Sequence, residues 1–169
     1  ARAIERLAQR GGSGVVELGG GLRATVEYGM VRFGRGPDDA LAPAPAALPV
    51  PGRCRFGEWE LVSECGPVGR AGDLGSADEP QLDADRVAGT LIVRAWRDGD
   101  RMQPLGLDGT KSLQDLFGDA KVPRSVRRSL PVVESDGEIA WVAGVAISER
   151  FRVRPDTRAT VRLSAARRL

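Results

Sequence analysis

The chain has 169 residues, 41% of them hydrophobic, which is enough to bury a core as one domain or as a domain with an appendage. Its 22 glycines and 11 prolines against 5% aromatics favour many short elements joined by turns and argue against a helical bundle. There is no histidine, which excludes Ser-His-Asp, Cys-His and H-E-x-x-H chemistry, and the net charge of +2 conceals an acidic half and a basic half.

Residues 1–88 hold ten Arg against thirteen Asp and Glu, a net of −3, whereas residues 89–169 hold fifteen Lys and Arg against ten acids, a net of +5. Lys121–Arg128 alone carries four cations in eight residues and no acid. Such a patch can neutralise phosphates and release counterions, the term that dominates nucleic-acid affinity; the same run also fits a solvated helix face. Cys54 and Cys65 lack C-x-x-C spacing and read as core or half-buried thiols. No stretch approaches the roughly 20 apolar residues of a membrane span and no signal-peptide core opens the chain, so the expectation is a cytoplasmic protein with no membrane partner.

In chain order, Ala1–Arg10 has Ile4, Leu7 and Ala8 at helical spacing and Gly11-Gly12 to stop it, the tail of a helix. VVEL, LRATVEY and MVRF then read as antiparallel strands, so residues 1–34 form a helix tail and hairpin segment. Residues 35–52, rich in Pro and Ala and without periodicity, read as an extended connector. Residues 53–88 contain the strands RCRF and WELVSE and a long surface loop, Gly66–Asp85. The last unit, 89–169, opens with the strand LIVRAW. Thr110 or Ser112 can cap a short helix, Ser112 and Asp115 being spaced as a capping box with Asp in place of Glu, and Pro123 and Pro131 frame a second short helix. Asp136-Gly137 fits a type I′ turn between VVES and EIAWV, and FRVR and TVRLS supply further strands. The class is α+β with strands predominating.

Two sites suggested by local sequence fail on spacing. GTKS, residues 109–112, lacks the upstream glycine of a G-x-x-x-x-G-K-[ST] loop, and Thr110 separates Gly109 from Lys111. Asp100, Asp108, Asp115 and Asp119 suit magnesium or acid/base work in type, but interleaved Arg101, Lys111 and Lys121 make ion pairing and capping the simpler reading. Trp96 and Trp141 read as core rather than as platforms for bases.

The order of motifs is more specific. G-D-R-M-x-P-L-G, G-T-K-S-L-Q-D-L-F-G-D, K-V-P-R-x-x-R-x-x-L-P-V-V, D-G-E-I-A-W-V-A-G and I-S-E-R-F together resemble the C-terminal region of bacterial tRNA(Ile)-lysidine synthetases, over about residues 89–164. The resemblance implies a sandwich-like domain shared with phenylalanyl-tRNA synthetase. It also implies an ATP-dependent ligase that joins lysine to the wobble cytidine of tRNA(Ile). In that family ATP and magnesium belong to an N-terminal domain with an S-G-G-x-D-S motif, which these residues lack. The expectation is therefore a C-terminal part, inactive alone, whose partners are tRNA(Ile) and its own catalytic domain. It would have no catalytic, cofactor or metal residues, and its oligomeric state is left open. Resemblance and charge converge on Lys121, Arg124, Arg127 and Arg128 as the tRNA grip on the acceptor stem, with Arg101 and Lys111 secondary and Arg94 and Arg97 in reserve. The alternative is a non-catalytic module whose basic patch meets an acidic protein surface.

Overall fold

Strand periodicity resolves into antiparallel sheets in the computed structural model, which describes residues 9, 13–20, 22–35, 42–69 and 75–168. The helix expected over Ala1–Arg10 lies, except for helical Gln9, outside the described residues. Strands β1 (Gly14–Gly19), β2 (Leu22–Glu27) and β3 (Met30–Arg35) form a three-stranded sheet in chain order.

Nine of the other strands described make a two-layer sandwich. One layer is a five-stranded sheet in the order β13-β12-β11-β8-β4, built from β4 (Ala46–Pro49), β8 (Thr90–Arg94), β11 (Val132–Ser135), β12 (Glu138–Val142) and β13 (Ala146–Ile147). The other is a four-stranded sheet in the order β5-β6-β14-β7, built from β5 (Gly52–Phe56), β6 (Trp59–Pro67), β7 (Gln81–Asp83) and β14 (Ala159–Arg167). Leu48, Leu91, Val93, Val133 and Trp141 of the first layer meet Phe56, Leu61, Leu82, Val161 and Leu163 of the second in one core.

The five-stranded sheet is covered on its other face as well. Because successive side chains in a strand point to opposite faces, Val133 and Trp141 enter the sandwich core while their neighbours Val132 and Val142 enter a second core. A register shift at Val133/Glu134 leaves Ala140 as an extra residue on β12, so Ala140 and Trp141 both serve the first core while Ile139 serves the second. The second core is closed by the ribbon of β9 (Arg101–Met102) and β10 (Lys111–Ser112) and by helix α1 (Leu113–Asp119), through Met102, Leu113, Leu116 and Phe117. A four-residue helix, α2 (Arg124–Arg127), follows α1. Asp136 and Gly137 both have positive φ, 48° and 79°, as the type I′ turn requires.

Three local expectations are corrected. Within the presumed connector, residues 46–49 are the edge strand β4, paired with β8 and inserting Leu48 into the core. Ala-rich sequence hid it, and Pro49 is tolerated because the strand lies at an edge. Within the presumed surface loop, Gln81, Leu82 and Asp83 are buried as β7, where Asp83 Oδ2 accepts a hydrogen bond of 3.1 Å from Thr157 Oγ1. FRVR is not a strand: Ser148 caps a 3-10 turn at Glu149–Phe151, which turns Phe151 into the core.

At the end of β8 a buried guanidinium replaces hydrophobic contact. Arg94 donates to both oxygens of Asp100 at 2.8 and 3.0 Å, to Glu134 Oε2 at 2.8 Å and to the Ala95 carbonyl at 3.0 Å. Burial alone would raise the Asp100 pKa, but the hydrogen bonds from Arg94 and from the Arg97 N–H, with the Arg94 charge, hold it below the usual carboxylate range. A carboxylate with a depressed folded pKa contributes stability above its unfolded pKa of about 3.9 and loses it as pH falls through the folded value. Asp100→Asn therefore lowers stability at neutral pH and flattens its decline below about pH 4, measured as denaturant midpoints across pH. Arg94→Met strands two partly buried carboxylates and costs about 3 kcal/mol at pH 7, the low end for a buried pair because both keep some water contact.

Candidate nucleic-acid interface

The basic run occupies the corner between α1 and α2, and local sequence determines how that corner is built. Ser112 caps α1, its Oγ accepting from the Asp115 N–H at 3.1 Å. At the other end, the Val122 N–H donates to the Phe117 carbonyl at 2.8 Å and the Lys121 N–H to the Gly118 carbonyl at 3.0 Å. These two bonds form a Schellman motif, in which the residue beyond the cap is left-handed and most often glycine. Here that residue is Lys121, at φ 54°. A side chain is retained where the backbone would favour none, and it projects a cation from the corner.

Helix α2 starts after Pro123, whose fixed φ of −58° suits a helix entrance. Four residues do not sustain a helix alone, so packing decides its orientation. The packing residue is Arg127, only 7% exposed. Its Nε donates to the Val122 carbonyl at 2.9 Å, and its guanidinium lies 5.6 Å from the centre of the Phe117 ring. Phe117 in turn meets Trp96 edge-on at 5.7 Å. Charge alone groups Arg127 with the exposed cations; the structure turns it inward as the corner's anchor, since helical spacing does not reveal which face has an aromatic ring beneath it.

Lys121, Arg124 and Arg128 are exposed, and among the described residues none has an ion-pair partner. Arg124 and Arg128 are four apart and share a helix side. Beside this corner is a groove of about 330 Å³ whose walls include Lys121, Val122, Pro123, Trp59 and Val145.

The secondary candidates are less free. Arg101 and Ser112 are cross-strand partners in the β9–β10 ribbon, and Arg101 donates to Thr110 Oγ1 at 3.3 Å and to the Thr110 carbonyl at 3.2 Å. Lys111 is ion-paired with Asp119, and that hydrogen bond and charge raise its pKa. Arg94 is consumed by Asp100 and Glu134. GTKS leads into β10, and Gly109 at φ 93° serves the turn before it. Asp100, Asp115 and Asp119 go to Arg94, the start of α1 and Lys111 respectively, and among the described residues no group of three or more metal-ligating side chains converges. Trp141 is fully buried, with Nε1 donating to the Ala77 carbonyl at 2.7 Å.

Among the described residues, no helix is long and apolar enough to cross a membrane. Residues 91–164 match the family described as TilS substrate C-terminal domain. Over 99% of its length the chain is 38% identical to a tRNA(Ile)-lysidine synthase of Symbiobacterium thermophilum, of which it spans 36%. Over 93% of its length it is 35% identical to the corresponding synthase of Geobacter sulfurreducens, of which it spans 34%. A crystal structure of a TilS C-terminal domain superposes with a TM-score of 0.63 and 32% identity, covering 73% of this chain and 98% of that one. The chain thus spans about a third of the length of these curated relatives. The motif order, the strand-rich sandwich and the match to almost the whole of that solved domain agree: the chain belongs to the family of C-terminal regions of bacterial tRNA(Ile)-lysidine synthetases.

Proposed function

We propose that this chain is the tRNA-holding part of an ATP-dependent tRNA(Ile)-lysidine synthetase, and that the α1–α2 corner grips the acceptor stem of tRNA(Ile). The observation that carries the reading is the set of three exposed cations, Lys121, Arg124 and Arg128, without acidic partners among the described residues, on a corner fixed from beneath by Arg127 and Phe117. An A-form stem has a deep, narrow major groove that side chains do not enter, so cations of this kind meet phosphates and ribose 2′-hydroxyls. Such contacts position the RNA without reading its sequence. In this reading, ATP and magnesium are handled by the enzyme's catalytic domain in the cytoplasm, and this part contributes binding and orientation to the joining of lysine to the wobble cytidine.

The test is tRNA(Ile) affinity measured over a salt series, with a denaturant midpoint for each variant. Arg124→Ala and Arg128→Ala each weaken binding by about 1 kcal/mol and lower the salt slope by about one, with stability within about 0.5 kcal/mol of wild type. Arg127→Ala does the opposite: it lowers the denaturant midpoint through loss of the Val122 hydrogen bond and the Phe117 contact. Wild-type affinity in the Arg124→Ala/Arg128→Ala double variant refutes the grip.

Lys121 gives a second test, because its backbone and side chain carry opposite signs. Lys121→Gly relieves a left-handed non-glycine residue and raises stability by about 0.5–1 kcal/mol, while removing a cation and weakening tRNA binding. A variant that gains stability and keeps full affinity removes Lys121 from the interface.

A further inference from the structure

The three-stranded sheet meets α2 at a point that the grip described above does not use. Arg32, on the edge strand β3, donates from Nη1 to Ser125 Oγ at 2.8 Å, joining residues 93 apart in sequence. The contact lies in a hollow of about 150 Å³ whose lining includes Arg23, Thr25, Arg32, Gly34 and Ser125. Two arginines enter this hollow, in different electrostatic states. Arg23 is ion-paired with Glu17 at 2.8 Å. Arg32 is exposed and donates to a neutral hydroxyl, so its charge is uncompensated by any acid among the described residues.

The chemistry of this pair suits a phosphate oxygen. A guanidinium has five N–H donors in a rigid fork, and the bond to Ser125 occupies one of them. Ser125 Oγ accepts from Arg32 and keeps its own hydrogen to donate. Ser125 and Arg128 are three apart, so the hydroxyl lies on the side of α2 that carries Arg128. A phosphate bridging the Arg32 fork and the Ser125 hydroxyl would continue the row of positive charge from α2 onto the sheet.

We infer that Arg32 and Ser125 form a further phosphate-binding subsite for the tRNA backbone, so that the RNA-binding surface spans both the α1–α2 corner and the three-stranded sheet. The inference rests on the tRNA reading, and its test separates the two. The 169-residue chain is titrated with a tRNA(Ile) transcript across a salt series as wild type, Arg32→Ala, Arg32→Lys, Ser125→Ala and the Arg124→Ala/Arg128→Ala double variant. Denaturant midpoints confirm that each variant is folded.

The expected result is roughly three- to tenfold weaker binding for Arg32→Ala near 0.1 M salt, with the salt slope lowered by about one. Arg32→Lys restores the slope because it keeps the charge, and Ser125→Ala leaves the slope at its wild-type value with a smaller loss of affinity. Wild-type affinity in Arg32→Ala overturns the subsite. So does a loss in Arg32→Ala that matches Ser125→Ala and leaves the salt slope unchanged, since the contact is then a strut between sheet and helix. If the double variant weakens binding and Arg32→Ala does not, the subsite fails and the grip stands; if the double variant also binds as wild type does, the tRNA reading itself fails.

Discussion

A sheet with both faces buried imposes the arrangement of everything else in this protein. Alternation along β11 and β12 sends Val133 and Trp141 into the sandwich core and Val132 and Val142 into the core beneath α1. Neither face can then hold an unpaired charge, because an ion moved out of water without partners costs several kcal/mol. Two guanidiniums are buried among the described residues: Arg94 meets this demand with two carboxylates and a carbonyl, and Arg127 with the Val122 carbonyl and the Phe117 ring. The excursion between β9 and β11 must cross the second face and return while presenting apolar residues inward and polar residues outward, and it exposes Lys121, Arg124 and Arg128.

Phe117 converts that crossing into a defined corner. Its buried ring contacts Trp96 on one side and the Arg127 guanidinium on another, and the Schellman bonds at the end of α1 fix the direction of the chain between them. A single turn of helix such as α2 has no independent stability, so its cations owe their directions to this packing. Rigid placement has an energetic consequence for binding. Ordering a long, freely rotating side chain at an interface costs about 0.5–1.5 kcal/mol, and a short element already fixed in place avoids adding backbone ordering to it.

The sequence made local features legible and left non-local ones hidden. The Asp136-Gly137 turn and the Ser112 cap depend on the dihedral preferences and side-chain reach of adjacent residues, so both are readable from a few letters. β4 and β7 are not: each is short, each contributes one large apolar residue, Leu48 or Leu82, and each is defined by a partner strand more than forty residues away in sequence. The basic corner falls between these cases. Its position was legible from charge, whereas the division of its cations into an inward Arg127 and outward Arg124 and Arg128 depends on where the Phe117 ring lies. The approach of Arg32 to Ser125 had no sequence signal, since 93 residues and a change of sheet separate them.

The number of free cations also bounds what this surface can do. On the proposed reading, Lys121, Arg124 and Arg128 with Arg32 supply about four phosphate contacts, and a slope near −0.9 per contact corresponds to roughly a hundredfold loss of affinity between 50 and 200 mM salt. That is less than the loss of 10³ or more characteristic of proteins making six to ten phosphate contacts. Phosphate contacts carry no base identity either. A surface of this size can orient a stem and raise the local concentration of the rest of the tRNA near a catalytic domain. Choosing one tRNA among many then requires either base contacts elsewhere in the enzyme or a fixed spacing between the places where the stem is held. Cations presented from a helical corner and from a separate sheet, joined by one Arg–Ser hydrogen bond, have the geometry for the second of these.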